Sequence, residues 1–184
     1  MKFENLSSKN IVLRKLDLSD SKYIYNIRSN KQISEHLDRP LESSLNQAED
    51  FIIKINQGIE NNKLFYWGIT KTEKNKIIGT ICLWNISIDK LEADIGFELL
   101  PEYQSKGIMS EAVRLVLDFA FNKAGFKKIE GEVAPNNLRS IKLMKKFGFN
   151  LQSTESHSES PNTIVYELNN YTRQIGLTDL FITK

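Results

Sequence analysis

The chain has 184 residues, enough for one domain of ordinary size, with apolar residues at 40% and charged residues at 26%. That balance excludes a disordered chain and carries no membrane bias. Lys+Arg of 25 against Asp+Glu of 23 leaves a net charge of +2, too small a surplus to make nucleic acid or an anionic membrane the main partner.

The first ten residues are mixed and polar, without the apolar core of a signal peptide. Ile11 to Leu16 alternates and reads as a short strand. Ser19 and Asp20 are good helix caps, and Tyr23, Ile24 and Ile27 follow at helical spacing to about Ser29. Asn30 to Pro40 is polar and reads as a loop. A second helix is expected from about Ser44 to Gly58, stopped by Gly58 or the later Asn61–Asn62 pair, with Leu45, Ala48, Phe51, Ile52 and Ile55 on one face.

Three strands are expected next. Leu64 to Thr70 is rich in aromatics, Lys76 to Ile86 is β-branched, and Glu92 to Leu100 alternates. In the last, Ile95, Phe97 and Leu99 point one way and Asp94, Gly96 and Glu98 the other. A long buried helix follows from about Ile108 to Ala124, stopped by Gly125. Lys128 to Val133 is a strand, and Asn136 or Asn137 caps a helix carrying Ile141, Leu143, Met144 and Phe147 inward. A strand begins at Phe149, Ser153 to Asn162 is a polar loop, and Ile164 to Leu168 is a strand. The sum is a mixed α/β fold, one domain over 1–184 with 169–184 as a tail. The three consecutive strands should pair antiparallel, and the unit from Glu92 to Val133 parallel through a right-handed crossover.

Cys82 is the single cysteine, and His36 and His157 are the only histidines. An intramolecular disulfide is excluded, and no metal centre is expected. No apolar run approaches the ~20 residues of a membrane helix. A soluble protein of the cytoplasm, monomer or homodimer, is the expectation.

The segment Gln104-Ser105-Lys106-Gly107-Ile108-Met109-Ser110 lies between a strand end and the start of the long helix. A helix N-terminus leaves about four backbone N–H groups free and carries the positive end of the dipole. Gly107 lets an anion approach the backbone, and Lys106 adds charge. This suits a phosphate or pyrophosphate, although an ordinary strand–helix turn has the same look. It is neither a Walker A loop nor a Gly-x-Gly-x-x-Gly turn.

Gln104-x-x-Gly107-x-Met109 resembles the Gln/Arg-x-x-Gly-x-Gly/Ala signature of the GNAT N-acetyltransferases. Ile95-Gly96-Phe97, Pro101-Glu102-Tyr103 and Ser110-Glu111-Ala112 are similar to its RimJ/RimL branch. So are Leu13-Arg14 with Asp20, Ile78-Gly79-Thr80, Asn137-x-x-Ser140, and Lys146-Phe147-Gly148-Phe149. The resemblance implies a splayed mixed sheet with helices on both faces and acetyl-CoA as co-substrate. It implies that the amides of Gln104, Ser105, Lys106, Gly107, Ile108, Met109 and Ser110 take the pyrophosphate. The backbone of Phe97, Glu98 and Leu99 would bond pantetheine, and Asn137 and Ser140 would reach that arm near the thiol. Three departures stand out: Ser105 and Met109 replace small residues, and Met144 stands where many relatives have a tyrosine acid.

Acetyl transfer to an amine needs a proton removed from the ammonium, a polarised carbonyl and a stabilised thiolate. Asp94 and Glu98 are candidate bases and Ser140 the candidate thiolate donor. The plainer readings are solvated or ion-paired strand carboxylates and a helix serine bonded to its own backbone. Glu155, His157 and Glu159 border the acceptor site if the resemblance holds, or else sit in a polar surface loop. His36 can line that site or be merely solvated. Cys82 reads as a buried thiol, Trp67 and Trp84 as core or as a cleft floor, and Lys142, Lys145 and Lys146 as a solvated face from which one can meet the 3′-phosphate. The expected acceptor is a protein N-terminal amine, such as that of a ribosomal protein, or a small amine. The alternatives are a non-catalytic acetyl-CoA sensor and, more remotely, another phosphate-ligand enzyme.

Overall fold

The structure is a computed structural model that describes residues 2–37, 39–152 and 163–170. Its sheet runs in the order β1-β2-β3-β4-β5-β6-β8-β7. The strands are β1 (Leu6–Ser7), β2 (Ile11–Arg14), β3 (Phe65–Lys71), β4 (Lys74–Ser87), β5 (Glu92–Leu99), β6 (Lys128–Val133), β7 (Asn150–Leu151) and β8 (Ile164–Asn169). The helices are α1 (Ser21–Arg28), α2 (Lys31–Ser34), α3 (Leu45–Glu60), α4 (Ile108–Asp118) and α5 (Leu138–Lys146). The antiparallel run through β3, β4 and β5 and the parallel β5–β6 pair match the expected topology. Among the described residues no helix is long and apolar enough to cross a membrane.

Strand alternation divides the core between the two faces of the sheet. Phe65, Trp67 and Ile69 of β3 pack with Val113, Val116 and Phe119 on the α4 side. Tyr66 packs with Ile24, Ile27, Ile52 and Ile55 on the α1–α3 side. The chain leaves α4 through a π turn at Phe119–Lys123, which buries Phe119, Ala120 and Phe121 together. A regular helix cannot turn three successive side chains fully inward, so the wider turn accounts for the early end of the α-helix that the sequence pattern carries to Ala124.

Two other elements differ from expectation. The polar stretch read as a loop contains α2, because the Asn30 side chain accepts from the amides of Gln32 and Ile33. Of the two expected stops α3 uses the later: it runs past Gly58 to Glu60 with Asn61 as its C-cap, and Gly58 makes room for Leu64, whose Cδ2 would lie 2.9 Å from a Cβ there. β8 reaches Asn169, one residue into the expected tail.

The sheet opens at one place. β5 pairs with β4 as far as Leu99, but with β6 only at Glu92, Ala93 and Asp94. β6 continues beside β8 to Val133. Beyond Asp94 the two parallel strands separate, and among the described residues the β6-side edge of β5 has no ladder.

Candidate functional site

The loop leading into α4 lies just past the open end of β5. Ser105 and Gly107 both take left-handed backbone, with φ of 59° and 78°. A serine there is strained by about 1 kcal/mol, so the conformation that glycine adopts freely is kept in its absence. Gly107 is the N-cap of α4 and supplies no side-chain cap. The first amides of α4 therefore remain open to an anion. A Cβ on Gly107 would meet nothing within 4 Å, so its need for glycine is one of conformation and approach.

Gln104 ties this loop to its neighbours. Its Nε2 donates to the Leu99 carbonyl at 2.9 Å, and its Oε1 accepts from the Arg139 guanidinium at the start of α5. Lys106 folds back and donates to the Glu102 carbonyl at 2.6 Å. Lys146, expected on a solvated face, donates to the Ser110 hydroxyl at 3.3 Å and so stands at the first turn of α4. Arg139 is thus a cation of this region that no periodic pattern announces, and Lys146 is a lysine of the expected helix face that reaches α4.

On α5, Asn137 is the cap: its side chain accepts from the Ser140 amide at 3.1 Å. The Ser140 hydroxyl makes no bond among the described residues and is half-buried. Met144 is buried and packs on Gly131 of β6, a core role for the position where a tyrosine acid would sit.

The face of β5 opposite α4 carries Asp94, Gly96 and Glu98, across from Trp84, Cys82 and Thr80 of β4. Burial pushes the Asp94 carboxyl up to about 6, with Glu130 and Glu132 adding to the rise and an Asn85 amide donating at 3.0 Å opposing it. Burial also raises Glu98, against the pull of Arg39 and Arg28. The two carboxylates are therefore unlike. Asp94 is half-exposed beside Trp84, which is 48% exposed, while Glu98 sits deep in an ion pair with Arg39 at 3.1 Å. Burial and the nearby Glu98 push the Cys82 thiol up to about 12, so it is no nucleophile. Trp67 is wholly buried in the core.

Around Glu98 lies a cluster that the sequence did not reveal. Arg28 pairs with Glu42, and Arg39 also donates to the Arg28 carbonyl at 2.9 Å. The Arg28 guanidinium stands 3.8 Å over the Phe51 ring. His36 lies in the turn after α2, its Nδ1 buried without a partner among the described residues. Glu155, His157 and Glu159 lie outside the described residues, as does 171–184 of the tail.

The arrangement has counterparts in known proteins. The chain is 32% identical to the "Probable N-acetyltransferase YjcK" of Bacillus subtilis, over 78% of this chain and 82% of that protein. It is 27% identical to a spermidine N(1)-acetyltransferase of Vibrio cholerae, over 76% and 78%. The crystal structure of ribosomal-protein-S5-alanine acetyltransferase from Vibrio fischeri superposes with a TM-score of 0.78 at 23% identity, over 91% of this chain and 97% of that one, which speaks to the fold. The family described as the acetyltransferase (GNAT) domain matches residues 10–150. Since that match takes in the open end of β5, the left-handed turn and α5, this chain belongs to the GNAT acetyltransferase family and is an acetyl-CoA-dependent N-acetyltransferase.

Proposed function

We propose that the protein acetylates the primary amine of a cationic acceptor by direct attack within a ternary complex. One observation carries this reading: β5 combines an edge without a partner strand among the described residues and a face bearing two carboxylates, the half-exposed Asp94 and the buried Glu98. The edge at Phe97, Glu98 and Leu99 suits the amide-bearing pantetheine arm. The turn at Ser105–Gly107 and the first amides of α4 suit the pyrophosphate, with Gln104 positioning the loop rather than touching the ligand.

The acceptor nitrogen must first lose a proton, which Asp94 accepts directly or through water. The nitrogen lone pair then forms the C–N bond at the thioester carbon, and the C–S bond breaks. The departing thiolate takes a hydrogen bond from the Ser140 hydroxyl, and its proton comes from the nitrogen. Asn137 keeps Ser140 in place through the cap. The acceptor is either a protein N-terminal amine, in the manner of the RimJ/RimL branch, or a small amine. The spermidine acetyltransferase relative supports the second, and the lone thiol of Cys82 suits the reducing cytoplasm.

Labelled acetyl-CoA offered with peptide and small-amine libraries tests this. Label is expected on one class of amine, with release of CoA thiol. Tight acetyl-CoA binding without release of CoA for any amine would replace the transferase reading with a sensor.

A further inference from the structure

Among the described residues, Glu98 and Glu42 each keep one buried carboxylate oxygen, Oε2, without a partner. Their other oxygens are held by arginines: Oε1 of Glu98 by Arg39 at 3.1 and 3.3 Å, and Oε1 of Glu42 by Arg28. The cluster therefore has open acceptors on both carboxylates. Leaving a buried carboxylate lone pair empty is costly, so this arrangement favours an incoming group rich in N–H donors.

The two arginines are held differently. Arg28 belongs to α1, lies over Phe51 and pairs with Glu42. Arg39 lies in the irregular chain between α2 and α3, and its bonds are to Glu98 and to the Arg28 carbonyl. Arg39 can withdraw by a change confined to that segment, whereas the Arg28 guanidinium is held further by its seat over the Phe51 ring. The groups facing Glu98 are Arg39, Arg28 and Glu42 from the helical side and Tyr66 and Cys82 from the neighbouring strands. Withdrawal of Arg39 would leave Glu98 and the open oxygen of Glu42 with a deficit of one positive charge.

We infer that Arg39 is a resident stand-in for the acceptor: its guanidinium neutralises Glu98 in the free protein, and an alkylammonium group of the acceptor displaces it and bonds Glu98 and Glu42. This rests on the transferase reading for the purpose of the site, but not for the site itself. It makes Arg39 a specificity-determining residue. An acceptor without a cationic group cannot replace the guanidinium without leaving Glu98 unpaired. A cationic one exchanges one ion pair for another, so the cost of burying charge is met before the acceptor arrives.

Calorimetry with n-butylammonium chloride at fixed ionic strength tests the inference, with tetramethylammonium, which has no N–H donor, as the control. Arg39→Ala is expected to bind n-butylammonium about tenfold more tightly than wild type, because the competitor is gone. Arg39→Ala combined with Glu98→Gln is expected to lose that binding, and tetramethylammonium to bind to none of the proteins. Affinity in Arg39→Ala equal to or weaker than wild type overturns the inference, as does a gain that survives Glu98→Gln. If Arg39→Ala fails to fold, Arg39→Gln, whose amide still donates toward Glu98, carries the same comparison. Release of CoA by wild type with the amine library is read separately. Turnover without the gain removes only the role of Arg39, and the gain without turnover leaves the ammonium site standing and removes the transferase.

Discussion

The Lys146 ammonium lies 3.3 Å from the Ser110 hydroxyl, which sets a full positive charge against the positive end of the α4 dipole. Two like electrostatic features gathered at one helix end favour an anion between them. Lys146→Met is expected to weaken acetyl-CoA binding about tenfold, an effect that shrinks at high salt. Lys145→Met, about 100° round the same helix, is expected to leave affinity unchanged. Equal affinities for wild type and Lys146→Met would separate Lys146 from the donor site.

Gly107 and Gly125 share left-handed backbone, φ 78° and 77°, and neither would place a Cβ within 4 Å of a neighbour. Alanine at either should therefore cost stability similarly, by about 1 kcal/mol. Only Gly107 bears on the proposed pyrophosphate turn. Gly107→Val is expected to lower acetyl-CoA affinity at least about tenfold in a folded protein, with Gly125→Ala leaving it intact. Melting curves beside calorimetry check both halves.

Asp94 carries a pH dependence of definite sign. Its folded pKa of about 6 lies above the ordinary 3.8, so the folded state favours the protonated acid. The stabilisation this brings is fully present below the unfolded value and is lost as pH rises through about 6. Asp94→Asn should gain on wild type in stability over that interval, modestly, because the group is partly solvated. In activity the rate should climb as Asp94 ionises near 6 and climb again with the free-amine fraction. The first limb should vanish in Asp94→Asn and persist in Glu98→Gln. A first limb that persists in Asp94→Asn would make bulk water or another group the base.

Ser140 and Asn137 divide chemistry from architecture at one helix start. Ser140→Ala removes a hydroxyl with no bond among the described residues, so stability should barely move while kcat falls about tenfold to a thousandfold. Asn137→Ala removes the cap and should cost about 1 kcal/mol of stability. Normal turnover in Ser140→Ala would end its proposed role.

Arg14 grips Asp20 through two bonds of 2.7 and 2.9 Å, and Asp20 is 3% exposed. Asp20 also accepts from the Asp17 amide, fixing the turn into α1. Asp20→Ala leaves the arginine without its partner and should destabilise by about 3 kcal/mol in urea titration. Acetyl-CoA affinity should not change in the folded fraction.

What was legible in the sequence was what is periodic. Alternation along Glu92 to Leu100 puts Asp94 and Glu98 on one face, and of the two asparagines the sequence offers as a cap the structure uses Asn137, whose side chain accepts from the amide three residues on. The Arg28–Glu42 and Arg39–Glu98 pairs were not legible. Their partners are 14 and 59 residues apart, and a polar loop between helices has no period to betray which of its charges turns inward. Lys146 is half legible: the pattern puts it on a polar helix face from which one lysine is expected at the 3′-phosphate, but which of the three meets α4, 36 residues away in the chain, is a tertiary fact.

The parting of β5 from β6 has a consequence for the protein when it is empty. An edge of backbone donors and acceptors in the middle of a sheet is what other chains add to when they aggregate. Here the edge is recessed between two half-sheets, where only something as slender as a single extended arm can enter. The co-substrate would then serve as a missing rung: amides of the open part of β5 should exchange with solvent in the empty protein and become protected on loading.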